Sequence, residues 1–253
     1  MKITYTQYIN NPLGEKNSVI TNRGMYQKMY RDKLDKILLR EGGKVKYNLY
    51  KSKDEYYIHF KIPSEVIDKF YYDTIIEFYT DDALKKRSPS LRDYNVKFYS
   101  NDPAFVYTFA HAFIKNNIFI TDLESKMTKE SVNKVAKEKN PKNLVGYVKS
   151  LFFAYLLIGD YGLFSKAIFD KTASKYSKTK ILKDVEHAKD KIRKRQEEEE
   201  KKRKEENRKK ENESRFSGKE GTTSPTKPSR NVIKTKTVSS AAKTKNSKRV
   251  KKI

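Results

Sequence analysis

Eight basic residues near the C-terminal end, Lys234, Lys236, Lys243, Lys245, Lys248, Arg249, Lys251 and Lys252, are set apart mostly by small polar side chains. Spaced cations of this kind neutralise phosphates and release condensed counterions, which binds DNA or RNA without reading its sequence. The last of them, Lys248-Arg249-Val250-Lys251-Lys252, also fits the loose pattern of a nuclear-localisation signal. Docking on an acidic protein surface and simple solubilisation are the other roles open to such residues.

Catalysis needs different side chains, and the chain offers few of them. It has no cysteine, which excludes thiolate nucleophiles, disulfides and Cys-based zinc sites. Its three histidines, His59, His111 and His187, fall on three separate predicted elements, and no HExxH, GxSxG, P-loop or GxGxxG spacing occurs. Asp73, Glu77, Asp81 and Asp82 cluster around one predicted strand. Metal-dependent nucleases do place two carboxylates and a lysine on adjacent strands. Asp73 and Glu77 share one face of that strand, but Phe78 and Tyr79 follow Glu77 where a Glu-x-Lys would be needed. These carboxylates therefore read as solvated strand-end charges. The expectation is a non-enzymatic protein with neither metal nor cofactor.

The elements that carry these residues appear as periodicities. Met25, Met29, Leu34, Ile37 and Leu38 form a helical stripe after Thr21-Asn22, stopped by Gly42-Gly43. Val45, Tyr47 and Leu49, then Tyr56, Ile58, Phe60 and Ile62, alternate across a turn at Ser52-Lys53-Asp54 and predict a β-hairpin. Residues 72–79 and 94–99 read as two more strands, so the sheet is expected to have about four, antiparallel because the connections are too short or too polar for crossovers. A short helical turn is expected at 65–70. Asp102-Pro103 starts a helix lined by Phe105, Phe109, Ala112 and Phe113, and residues 128–139 read as a short exposed helix. Asn140-Pro141 opens the next helix, whose run LFFAYLLI is apolar on nearly all sides and should be the buried centre. A final short helix is expected at 163–169.

Composition divides the chain near residue 180. All 18 tyrosines and 12 of the 13 phenylalanines precede residue 181. Residues 181–253 hold 25 Lys+Arg against 12 Asp+Glu, and so carry +13 of the net +25. The expected organisation is α+β: a tyrosine-rich domain over 1–180, a charged single helix over 181–216 and a disordered basic tail over 217–253. Ile181, Leu182, Val185, Ala188 and Ile192 give that helix a narrow apolar edge. Beyond them it is supported by acids four residues ahead of bases, the glutamates at 197–200 preceding Lys201, Lys202, Arg203 and Lys204. A coiled coil is the competing form, and it needs the apolar a and d positions that are missing after Ile192. The longest apolar run, residues 151–158, is far short of the roughly 20 residues of a membrane span, and the N-terminus shows no secretory apolar region. A soluble chain with no membrane partner is expected.

Two stretches carry a resemblance. One runs from NPLGEKNSVITNRG to KFYYDTIIEF, the other from SLRDYNVKFYSNDP through AFVYTFAHAFIKNNIFI into YVKSLFFAYLLI. Together they span about residues 11–160 and resemble virion structural proteins of tailed bacteriophages that infect low-GC Gram-positive hosts. The resemblance implies a component of the head, neck or head–tail connector, without enzymatic activity and present in multiple copies. It also implies homo-oligomerisation and contact with other virion proteins, in the virion and, during assembly, in the host cytoplasm. The charged helix and the tail lie outside it, and for them charge alone suggests non-specific DNA contact. The competing expectation is a nucleic-acid-binding accessory protein acting through the basic tail.

Overall fold

The computed structural model describes residues 2–10 and 23–217. Met1–Asn207 form one compact unit and Arg208–Ile253 a second, of which the described part is helical up to Ser217 and exposed over 208–213.

The first unit is built on a mixed sheet. Its strands are β1 (Tyr47–Ser52), β2 (Glu55–Pro63), β3 (Tyr71–Tyr79), β4 (Asn95–Ser100) and β5 (Ser174–Lys175), in the order β4-β3-β2-β1-β5. The hairpin closes on the pair Ser52↔Glu55, with Lys53 in the left-handed conformation that a two-residue turn demands. The architecture is α+β, but the sheet has five strands and is mixed, which corrects the expected four-stranded antiparallel one. The difference is β5, which runs parallel to β1 through Tyr50↔Ser174 and Lys51↔Lys175. Two residues are too few to show a period of two, so nothing in the sequence pattern marks them.

The register sorts side chains into two faces. Leu49, Ile58, Ile76 and Phe98 stand side by side on one face. Three helices supply its partners: α1 (Tyr5–Asn10), α2 (Arg23–Arg40) and α6 (Lys149–Asp160). Tyr5 meets Phe98 edge-on at 5.0 Å between ring centroids, and Tyr30 lies 5.0 Å from Phe152. Tyrosine suits these places because its hydroxyl reaches past the apolar layer to a backbone acceptor. Tyr5 donates to Leu151 O (2.6 Å), Tyr8 to Gly146 O (3.0 Å) and Tyr147 to Ile9 O (2.6 Å). The run at 151–158 is buried except for Tyr155 and Leu156, which are half-buried.

Several helical expectations shift in position. Among the described residues, α3 (Ala83–Arg87), α4 (Ala110–Lys115), α5 (Lys129–Asn133) and α7 (Lys166–Thr172) are short α-helices, and Thr121–Lys126 is a 3₁₀ helix. Asp102 caps as expected, accepting from Ala104 N at 2.8 Å, but the chain then winds as a π-helical turn over Phe105–Phe109. The helix expected over 128–139 is confined to α5. Asn140-Pro141 opens no helix, and α6 starts at Lys149. The cause is the Asn140 side chain, which accepts from Leu144 N (2.9 Å) and donates to Leu144 O (2.7 Å), folding the backbone back on itself. The segment at 65–70 forms bends and turns, closed by Ser64 N to Phe70 O at 2.6 Å.

The polar face of the sheet is covered too. Phe119 packs on Tyr99, Tyr176 stacks on Tyr57 with centroids 4.0 Å apart, and the chain then forms α8 (Lys178–Asp184) and α9 (Ala188–Ser217). Ile181, Val185, Ala188 and Ile192 all belong to the buried core. From Gln196 to residue 213 every α9 side chain is exposed. No described helix is long and apolar enough to cross a membrane.

Candidate functional site

The densest ionisable cluster centres on Asp73, in the middle of the second sheet face. Cross-strand pairing brings Lys61 opposite Asp73 and His59 one step along on the same face. Asp73 Oδ1 lies 2.7 Å from His59 Nε2 and also accepts from Lys61 Nζ. Its Oδ2 accepts from Asn101 Nδ2 (2.9 Å) and from the backbone N–H of Glu186 (3.3 Å). Asn101 reciprocates, its Oδ1 accepting from Asp73 N at 2.8 Å while its Nδ2 also donates to Glu186 O at 3.3 Å. Lys61 Nζ reaches Asp184 O at 3.3 Å. Burial drives the Asp73 carboxyl upward, but the hydrogen bond and charge of His59 and the charge of Lys61 outweigh it and bring the pKa down to about 2. Asp73 and His59 are 2% and 1% exposed, so the solvated strand-end reading is corrected for Asp73. Glu77 is buried as well.

The geometry limits what this cluster can do. Because a carboxylate only accepts, His59 Nε2 carries the hydrogen in the Asp73 bond, which leaves Nδ1 as the ring's other polar atom. That Nδ1 is buried and bonds to nothing. A nucleophilic triad needs a hydroxyl or thiol at that nitrogen, so only the His–Asp half of such a device is present. Asp73 and Glu77 lie four residues apart on one strand face, about 13 Å, too far to share a metal ion. Among the described residues no group of three or more His, Asp or Glu is placed to hold a metal. The cluster binds β2, β3 and the start of β4's exit loop to the α8–α9 junction, fixing the charged helix to the sheet.

A second polar row lies beside it. Tyr57, Glu77 and Lys97 face one another across β2, β3 and β4. Burial holds the Glu77 carboxyl above its ordinary range despite Lys97 Nζ at 3.0 Å from Oε1. Tyr57 donates to Glu55 and Tyr176 to Asp122, each at 2.8 Å, so the stacked pair is tied down at both hydroxyls.

The other histidines stay apart from these rows. His111 Nδ1 bonds Asn143 Oδ1 at 2.9 Å, and His187 Nδ1 accepts from Lys189 N at 3.1 Å at the start of α9. Some α9 charges pair within the helix, Glu199 with Arg195, Glu198 with Lys201 (both 2.8 Å) and Glu200 with Lys204 (2.7 Å). Only the last has the acid-first, four-residue spacing drawn from the sequence. Lys234, Lys236, Lys243, Lys245, Lys248, Arg249, Lys251 and Lys252 lie outside the described residues. Sequence reasoning missed Asn101 and the backbone of Glu186 entirely. The one available signal was the period of two that puts His59 and Lys61 on one face, opposite an aspartate on the next strand. Compared with protein families, curated proteins and solved structures, the chain matches none.

Proposed function

We propose that this protein is a non-enzymatic structural subunit of a tailed-bacteriophage virion, at the head, neck or head–tail junction, whose basic C-terminal residues contact DNA. The observation that carries the non-enzymatic part is the Asp73 cluster. The most concentrated ionisable chemistry of the folded unit is spent on tertiary bonding, with each Asp73 oxygen engaged at least twice. The sequence resemblance over about residues 11–160 supplies the virion setting. For DNA contact the support is charge: residues 217–253 hold 11 Lys+Arg and one acid, while α9 before them balances much of its own charge.

The same self-balanced helix favours a second reading, an accessory protein that binds nucleic acid through its basic segment alone. Self-association separates the two. Light scattering on the full chain should report a mass that is a multiple of the 29.7 kDa monomer. A monomer at all concentrations up to about 100 μM, a range in which only contacts weaker than about 5 kcal/mol go undetected, would favour the accessory protein.

A further inference from the structure

Tyr107 stands on the π-helical turn Phe105–Phe109 and is 48% exposed. Beside it opens a groove of about 670 Å³, lined by Val135 and Ala136 together with Lys134, Lys137 and Lys139. A smaller cavity of about 170 Å³ continues from it toward His111. None of the three lysines makes an ion pair with a described residue. Glu138 offsets one of their charges and leaves the groove positive.

The groove is held in shape from beneath. Asn140 Nδ2 donates to Thr108 O at 3.1 Å, and His111 bonds Asn143 at 2.9 Å. The first contact pins the 134–143 segment to the turn that bears Tyr107, and the second pins it to α4, which follows that turn. Gly146 lets the backbone close against the same turn, since a Cβ there would stand 2.4 Å from Phe109 Cε1. A preset aromatic face with unpaired cations around it costs little to organise on binding.

We propose that this groove binds single-stranded nucleic acid, one base stacking on the Tyr107 ring while Lys134, Lys137 and Lys139 meet the flanking phosphates. Stacking on an exposed ring accepts any base, and lysines without an ion pair among the described residues gain most from a phosphate. The volume is that of a small-ligand site and admits a nucleotide. An acidic peptide would meet the same lysines, but its affinity would rest on an apolar anchor in a deep pocket, and the only apolar lining beside Tyr107 is Val135 and Ala136. Duplex DNA cannot present a base face without unstacking, so the groove selects single strands, whereas the C-terminal cations take either form.

The full chain is tested with a labelled dT20 strand and a 20-bp duplex at equal ionic strength. Tyr107→Ala should lower dT20 affinity at least fivefold, Tyr107→Phe should restore it, and duplex affinity should stay the same in both. On the unsubstituted chain, a 5-iodouracil-bearing strand should cross-link to the peptide that contains Tyr107. This readout does not depend on any variant folding. Equal dT20 affinity for the parent and both variants would overturn the proposal, as would cross-links confined to 217–253. The first leaves DNA contact by the C-terminal residues standing. Loss of duplex binding alone, on removing those residues, would strike that contact and spare the groove.

Discussion

At the scale of single residues, Asp73 and Glu77 make a useful pair because the same strand buries both and gives them opposite balances. Asp73 is surrounded by donors, and its carboxyl titrates near 2, below the ordinary 3.8. Its contribution to stability is fully present above about pH 4 and is lost as pH falls through 2. At 1.36 kcal/mol per pKa unit it amounts to about 2 kcal/mol. Glu77 has the reverse sign. Folding favours its protonated form, so ionisation costs stability as pH rises through the folded pKa. Asp73→Asn should therefore destabilise by about 2–3 kcal/mol at pH 7, because either orientation of the new amide sets an N–H₂ against existing donors. Glu77→Gln, which keeps an acceptor for Lys97, should stay within about 1 kcal/mol of the parent. Urea unfolding at pH 7 measures both. Repeated between pH 5 and 2, it should show a shallower decline for Asp73→Asn than for the parent. Equal declines would remove Asp73 from the account of acid sensitivity.

At the scale of elements, the junction of α8 and α9 decides where the folded unit ends. A chain cut at residue 180 loses Ile181, Val185, Ala188 and Ile192, all in the core, and the Glu186 backbone that Asp73 and Asn101 hold. One cut at residue 207 keeps them. Thermal melts should place the 1–207 chain at the full-length midpoint and the 1–180 chain well below it, since a single buried Ile→Ala already costs about 2–4 kcal/mol. Equal midpoints would mean the junction adds nothing.

Those four apolar residues were legible as a narrow edge, but on one continuous helix over 181–216, where the structure puts them on α8, its cap and α9; the hairpin and α2 were legible from their periods, β3 and β4 as strand-like runs, and the run of α6 because it is apolar on nearly every side. β5 was not legible, being two residues long. Neither was the late start of α6, where a side chain of Asn140 overrides a good capping pair. The Asp73 cluster hid for a third reason. Its members are polar, so the face they occupy reads as solvated until α8 and α9 are seen to cover it.

For the whole molecule, charge is the quantity that matters, and it is unevenly distributed. Residues 217–253 contribute a net +10 in 37 residues. If half of their 11 cations engage phosphates at once, log affinity for duplex DNA should fall against log salt with a slope of about −4 to −5. Two unrelated duplexes should give the same slope and affinity, because spaced lysines carry no base readout. Fluorescence anisotropy across a salt series, with and without residues 217–253, provides the check. An affinity unchanged by the deletion would move duplex binding onto the folded unit.

The tyrosine hydroxyls that join α1 to α6 and to the segment before it have a consequence in time. The partners of Tyr5, Tyr8 and Ile9 are Leu151, Gly146 and Tyr147, separated from them by 146, 138 and 138 positions along the chain. At roughly 5–20 residues per second, a ribosome needs about 7–30 s to make those partners after it has made the helix. α1 therefore waits until the chain has been made to residue 151 before it can dock fully, and until it does Phe78, Phe98 and Phe113, which it covers with aromatic rings, lack their lid. That interval is the one in which nascent chains are most prone to stick to each other.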